Sequence, residues 1–183
     1  MMPPLSFRPA RLSDVDAIVQ LVNSAYRGDT SRAGWTTEAD LLSGQRTDAE
    51  EILGLLTAAD SLLLLAESAD AAATGSALIG SVHLQKCADH ARIGMFVVHP
   101  KLQARGIGKR FLQEAEQFIR QTWGMDKIRM LVIYLRTELI AYYERRGYNR
   151  TGQFEAFPTS HRFGIPLVKG LRLEVLEKQG WPQ

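Results

Sequence analysis

A single cysteine, Cys87, stands in a chain of 183 residues. That excludes an intrachain disulfide and leaves no thiolate set for a structural zinc, so no metal is expected. No apolar run approaches the ~20 residues that a membrane-spanning helix needs. Neither sign of charge dominates: 22 basic against 20 acidic residues give a formal net charge of +2. That balance is too even for a nucleic-acid binder working through bulk charge, and charge has to be read locally. The opening Met-Met-Pro-Pro-Leu-Ser has neither the charged nor the apolar region of a secretory signal. A reducing cytoplasm, with no membrane and no nucleic-acid partner, is the expectation. There is no internal repeat and no long linker. The one biased stretch, ESADAAATG at residues 67–75, predicts a loop between two strands. What remains is ordinary globular composition, 45% hydrophobic and 23% charged, sized for one domain over residues 1–183.

Periodicity then orders the chain. Residues 5–8 predict a short strand. Ser13 predicts a helix N-cap, with Val15, Ile18, Val19, Val22, Ala25 and Tyr26 following at helical spacing. A second helix is expected from Thr36 or Thr37, carrying Leu41 and Leu42, and a short third over residues 50–57. The runs at 62–66 and 77–84 read as paired strands, and 93–98, closed by Pro100, as a strand buried on both faces. After Gly108 the period turns helical, with Phe111, Leu112, Ala115, Phe118 and Ile119 on one stripe and Gly124 as the stop. Residues 128–134 predict a strand. Thr137 opens a helix with Leu139, Ile140 and Tyr143 inward, and strands start at Tyr148 and around Leu171, Leu173 and Val175. The expected class is α/β or α+β, a mixed sheet covered by helices.

The most informative segment runs from Val97 to Lys109. A buried strand ends, the chain turns through Gly106 and Gly108, and an amphipathic helix begins. The first amides of a helix have no internal acceptor and lie at its positive end. Glycines let a phosphate approach them, and Arg105, Lys109 and Arg110 add charge. Two other phosphate motifs fail: Gln103 stands where a Walker A loop requires glycine, and Phe111 where a dinucleotide fingerprint requires one. On the glycines alone, an anion cradle and a merely tight turn are both open readings.

Gln103-Ala104-Arg105-Gly106-Ile107-Gly108 resembles the Gln/Arg-x-x-Gly-x-Gly/Ala signature of the GNAT superfamily of N-acetyltransferases. Leu139-Ile140-Ala141-Tyr142-Tyr143-Glu144-Arg145-Arg146-Gly147-Tyr148 is similar to its second signature, an apolar helix carrying Tyr-Glu before Gly and an aromatic. The resemblance covers roughly residues 60–155. It implies a mostly antiparallel central sheet with splayed central strands and acetyl-coenzyme A as cosubstrate. Backbone around Phe96, Val97 and Val98 would hold the pantetheine arm, and Gln103, Ala104, Arg105, Gly106, Ile107, Gly108 and Lys109 the pyrophosphate. Tyr143 would be the general acid, protonating the leaving thiolate, with Tyr142 as the fallback. Pairing of subunits through the final strands, as a homodimer, is one option the resemblance leaves open.

Direct attack by an acceptor amine in a ternary complex is expected, because no Cys or Ser is placed as a nucleophile. The amine's own partners are less defined. The resemblance implies that the early helices wall the acceptor side, where Tyr26, Trp35, Glu38 and Asp40 supply aromatic and acidic groups; the acids could instead complement a helix N-terminus. His83 reads as a structural histidine or a base. The strand at 93–98 has no ionisable side chain, unlike many relatives. A non-catalytic acyl-coenzyme A sensor on the same fold is therefore the rival reading. Arg136, where many relatives carry Asn, could reach a cofactor phosphate or pair with Glu138 or Glu144. The loop over residues 157–163 could close over the same opening.

Overall fold

The computed structural model describes residues 4–69, 75–160, 162 and 164–180. Its frame is a seven-stranded sheet. In chain order the strands are β1 (Leu5–Pro9), β3 (Ser61–Ser68), β4 (Leu78–Lys86), β5 (Ala91–Val98), β6 (Lys127–Ile133), β7 (Asn149–Ala156) and β9 (Arg172–Gln179). Their spatial order is β1-β3-β4-β5-β6-β9-β7, antiparallel throughout except for the parallel pair β5–β6. A two-stranded ribbon joins β2 (Leu42–Ser43) to β8 (Ile165–Pro166). Residues 70–74, inside the alanine-rich segment expected as a loop, lie outside the described residues.

Helices cover both faces, as the apolar stripes require. On one face α4 (Ile107–Trp123) buries Phe111, Leu112, Ala115 and Ile119. The same core takes Ile140 and Tyr143 from α5 (Thr137–Glu144), and Tyr148. On the other face α1 (Val15–Tyr26) and α3 (Ala49–Thr57) bury Ile18, Val22 and Ile52 against Leu63, Leu65, Met95 and Val97. Gly124, at φ 64, ends α4 in the left-handed conformation expected of a helix stop.

Strand β5 departs from its expected regularity, and the departure makes the site. Ala91 and Ile93 pack in the α4 core, whereas Met95 and Val97 pack in the α1 core. A regular strand would keep all four on one side. The inversion comes from a bulge: β4 pairs Ser81 with Val97 but His83 with Gly94, and Met95 takes φ 43. A left-handed methionine costs roughly 1–2 kcal/mol. Arg92, Gly94 and Phe96 are consequently only half-buried, not covered on both faces as expected. Pairing of β5 with β6 stops at Ile93–Met130, so the two central strands splay beyond it.

Two helix readings are corrected. Arg11, not Ser13, precedes the first helical turn, and its amide donates to Asp14 Oδ2 at 2.7 Å. No helix starts at Thr36 or Thr37. A short α2 (Gly28–Ser31) comes earlier, and residues 36–41 form an extended stretch and a single turn ending in β2. Side-chain demands from elsewhere override local propensity there. Thr36 Oγ1 accepts from Arg136 at 2.6 Å and donates to Glu138 at 3.0 Å, while Glu38 is drawn inward onto buried arginines.

Candidate active site

The gap between β5 and β6 opens into two cavities. The first, of about 250 Å³, runs along the start of α4 and is lined by Gln103, Ala104, Gly106, Gly108 and Lys109, by Phe96, Val97 and Val98, and by Trp35. The second, of about 500 Å³, lies on the other side of the splay and includes Glu38, His83, Arg46, Arg92, Phe157 and Pro158. Tyr26, Phe96, Arg136, Leu139 and Tyr143 line both.

The mouth of α4 has the form of an anion site. Gly106 precedes the helix at φ 81 and Ala104 stands at φ 61, so the chain turns sharply and presents its amides outward. Arg110 N is the first amide to bond back, to Gly106 O. Among the described residues, the amides from Ala104 to Lys109 find no acceptor. Ala104, Arg105, Gly106 and Lys109 are exposed. A Cβ at Gly108 would sit 3.0 Å from Tyr142 Oη, and that buried hydroxyl has no hydrogen-bond partner among the described residues. Unpaired amides, a close glycine approach and a buried orphan hydroxyl together suit a diphosphate.

Not every expected cofactor residue presents its side chain here. Ile107 is in the α4 core at 2% exposure, so only its main chain can take part. Arg105 does not line the cavity. Gln103 faces inward: Nε2 donates to Val98 O at 3.0 Å, and Oε1 accepts from Trp35 N at 2.7 Å. It therefore holds the turn to the Trp35 segment and occupies the Val98 carbonyl. Phe96 O is in turn reached by the Tyr26 hydroxyl at 3.4 Å.

On α5, Tyr143 is 5% exposed, with its ring edge-on to Tyr142 and Tyr148. Its hydroxyl has no hydrogen-bond partner among the described residues. Burial, then the neighbouring Tyr26 and Tyr142, push its pKa well above the ordinary phenol value of 10. It stays protonated at any working pH.

The acetyltransferase (GNAT) family profile matches residues 18–148, most of the chain. The chain belongs to that family.

Solved GNAT-fold structures extend the likeness over nearly the whole length. The ribosomal-protein-S18-alanine N-acetyltransferase from Escherichia coli has 13% identity and a TM-score of 0.67, covering 96% of this chain and 94% of that one. A PaiA N-acetyltransferase from Thermoplasma acidophilum in complex with coenzyme A has 18% identity and a TM-score of 0.66, covering 97% and 99%. A spermidine N-acetyltransferase from Vibrio cholerae in complex with CoA and spermine has 15% identity and a TM-score of 0.67, covering 96% and 95%. At these identities the likeness is one of fold. No curated protein matches the chain significantly. Among the described residues, no helix is long and apolar enough to cross a membrane, and no cluster of three His, Cys, Asp or Glu could hold a metal.

The far side of this GNAT site differs from the expected acidic amine pocket. Glu38 is 7% exposed and sits between Arg27 and Arg136, the latter at 2.8 Å. It neither complements a helix N-terminus nor offers a free carboxylate. Asp40 is exposed and pairs with Arg32 at 2.7 Å, away from both cavities. His83 Nε2 and Ser61 Oγ lie 2.9 Å apart in a hydrogen bond, and burial, then Arg46 and Arg92, lower the histidine pKa to about 4. That leaves it neutral at pH 7 and a weak base. Trp35, 45% exposed, stacks obliquely on Tyr142 with centroids 5.6 Å apart. Phe157 and Pro158 reach the second cavity from the loop expected to close it; His161 and Phe163 of that loop lie outside the described residues.

One contributor escaped the sequence reading. Arg146, quoted there only within the second signature, lines the first cavity and stacks on Tyr142, its guanidinium carbon 3.3 Å from the ring centroid. Arg136, expected at a cofactor phosphate or paired with Glu138 or Glu144, lies 3.8 Å from Glu138 and joins the two cavities through the Glu38 cluster. Replacing Glu38 with Ala leaves two buried arginines facing each other, and unfolding free energy should drop by about 3–5 kcal/mol. Urea denaturation measures it; a change below about 1 kcal/mol, the worth of an exposed pair, would contradict the buried-cluster description.

Proposed function

We propose that this acetyltransferase binds acetyl-coenzyme A along the first cavity and passes the acetyl group to a primary amine entering from the second. The supporting observation is the placement of Tyr143 and Phe96 on the lining of both cavities. Amides of residues 105–109, with Lys109 and Arg146 beside them, would hold the pyrophosphate, and main chain near Phe96 and Val97 the pantetheine arm. The bound thioester supplies the acyl group. Tyr143 holds a proton at Oη where the departing sulfur would take it, a transfer from a phenol to a thiolate. A C–N bond forms as the C–S bond breaks. Starting from an ammonium, two protons leave nitrogen: one goes to solvent before attack, and the second balances the free thiol. With no Cys or Ser among the described residues that line either cavity, attack is direct.

One observation favours the rival sensor reading. The carboxylates lining the cavities are Glu38 and Glu51, and both are engaged: Glu38 by two arginines, Glu51 by the Thr47 hydroxyl at 2.6 Å. Thiol release from acetyl-coenzyme A across an amine panel separates the two. Amine-dependent release is the expected result; tight binding without release by any amine would make the protein a sensor.

A further inference from the structure

The second cavity is more basic than a site for a simple amine should be. Four arginines line it, Arg27, Arg46, Arg92 and Arg136, against Glu38 and Glu51. Glu38 is shared by Arg27 and Arg136, and Arg136 also lies 3.8 Å from Glu138, so those two arginines are engaged within their own cluster. Arg46 stands 3.9 Å from Glu51, and Arg92 the same distance from Glu155, both beyond hydrogen-bond reach. Nη1 of Arg46 and Nε of Arg92 are buried and have no hydrogen-bond partner among the described residues. Buried donors are costly to leave unmade, and each such atom calls for an explanation. Both arginines act on His83, whose pKa is lowered first by burial and then by these two charges. With His83 they share the lining of the second cavity.

A polyamine, or a lysine on a basic protein, would add cations to this lining. A molecule bringing its own anion would neutralise it. Resting on the transfer reading above, we propose that the acceptor is a small amine carrying a carboxylate, the carboxylate held by Arg46 and Arg92 and the amine turned toward Phe96 and Tyr143. The planar guanidinium fork matches a carboxylate in shape as well as charge.

The test uses the full chain and a panel of α-, β- and ω-amino acids, their carboxamides, and spermidine. Two quantities are read: thiol release from acetyl-coenzyme A, and calorimetric binding of each compound to the protein saturated with coenzyme A. At least one amino acid should show kcat/KM about ten- to a hundredfold above its carboxamide, the worth of one or two charge-assisted hydrogen bonds. Arg46→Gln should raise KM for the acid by a similar factor and leave the carboxamide's KM in place. Arg92→Gln, at a half-exposed position, repeats the test should Arg46→Gln fail to fold. Equal or better use of carboxamides, or a preference for spermidine, overturns the carboxylate assignment while acetyl transfer stands. If no compound releases thiol, the transfer reading fails, and binding decides separately: tighter binding of the acids supports the assignment, and equal binding overturns it.

Discussion

Gly108→Leu is expected to reduce acetyl-coenzyme A affinity by two to four orders of magnitude while thermal unfolding stays close to that of the native protein. The position is the second residue of α4. A new Cβ there would lie 3.0 Å from Tyr142 Oη, and the rest of the leucine would fill the mouth where the amides of residues 104–109 are unpaired. Losing two charge-assisted hydrogen bonds at about 1.5–3 kcal/mol each gives roughly 3–6 kcal/mol, hence that range. Stability should hold because leucine gains up to about 1 kcal/mol over glycine in a helix, offsetting the shift forced on Tyr142. Gly106 is a less clean choice: at φ 81 any side chain strains the turn, so fold and site would change together. Unchanged affinity by calorimetry in a folded Gly108→Leu protein would remove the pyrophosphate cradle from the account.

Tyr143→Phe should lower kcat by about 10²–10⁴-fold, the usual worth of a general acid, with acetyl-coenzyme A affinity unaltered. The substitution deletes one oxygen that bonds to nothing among the described residues, and the ring keeps its contacts with Tyr142 and Tyr148. Stability should hardly move. Because burial raises the phenol pKa above its ordinary value, Tyr143 remains an acid through pH 9. Native kcat should then show no alkaline decline from this group between about pH 7 and 9. Full turnover in the variant across the pH range would retire Tyr143 as the proton donor.

Much of this architecture was legible because it is local. The strand–turn–helix from Ala91 to Trp123 announced itself by a change of period across two glycines, and the Tyr-bearing helix by its apolar stripe and its Arg-Arg-Gly ending. Elements set by distant partners were not legible. The helix expected at Thr36 is absent because Glu38 is recruited by Arg27, eleven residues before it, and Arg136, on the far side of the sheet. The bulge at Met95 gave no signal, since a left-handed methionine is set by packing on both faces and not by propensity. The basic second cavity was invisible for the same reason: Arg27, Arg46, Arg92 and Arg136 come from four separate segments, and a net charge of +2 says nothing about their convergence. Gln103 matched a family pattern, but its side chain serves the turn rather than the phosphate.

One principle links these sites in the proposal: main-chain amides freed by a sharp turn would bind the cofactor's phosphates, and a strand bent by its bulge would aim the thioester between Phe96 and Tyr143. A crystal structure of the protein with coenzyme A tests this most directly. The pyrophosphate should lie within hydrogen-bond distance of amides among residues 104–109, with the sulfur beside the Tyr143 hydroxyl. A pyrophosphate bound elsewhere, or a sulfur outside the gap between β5 and β6, would contradict it.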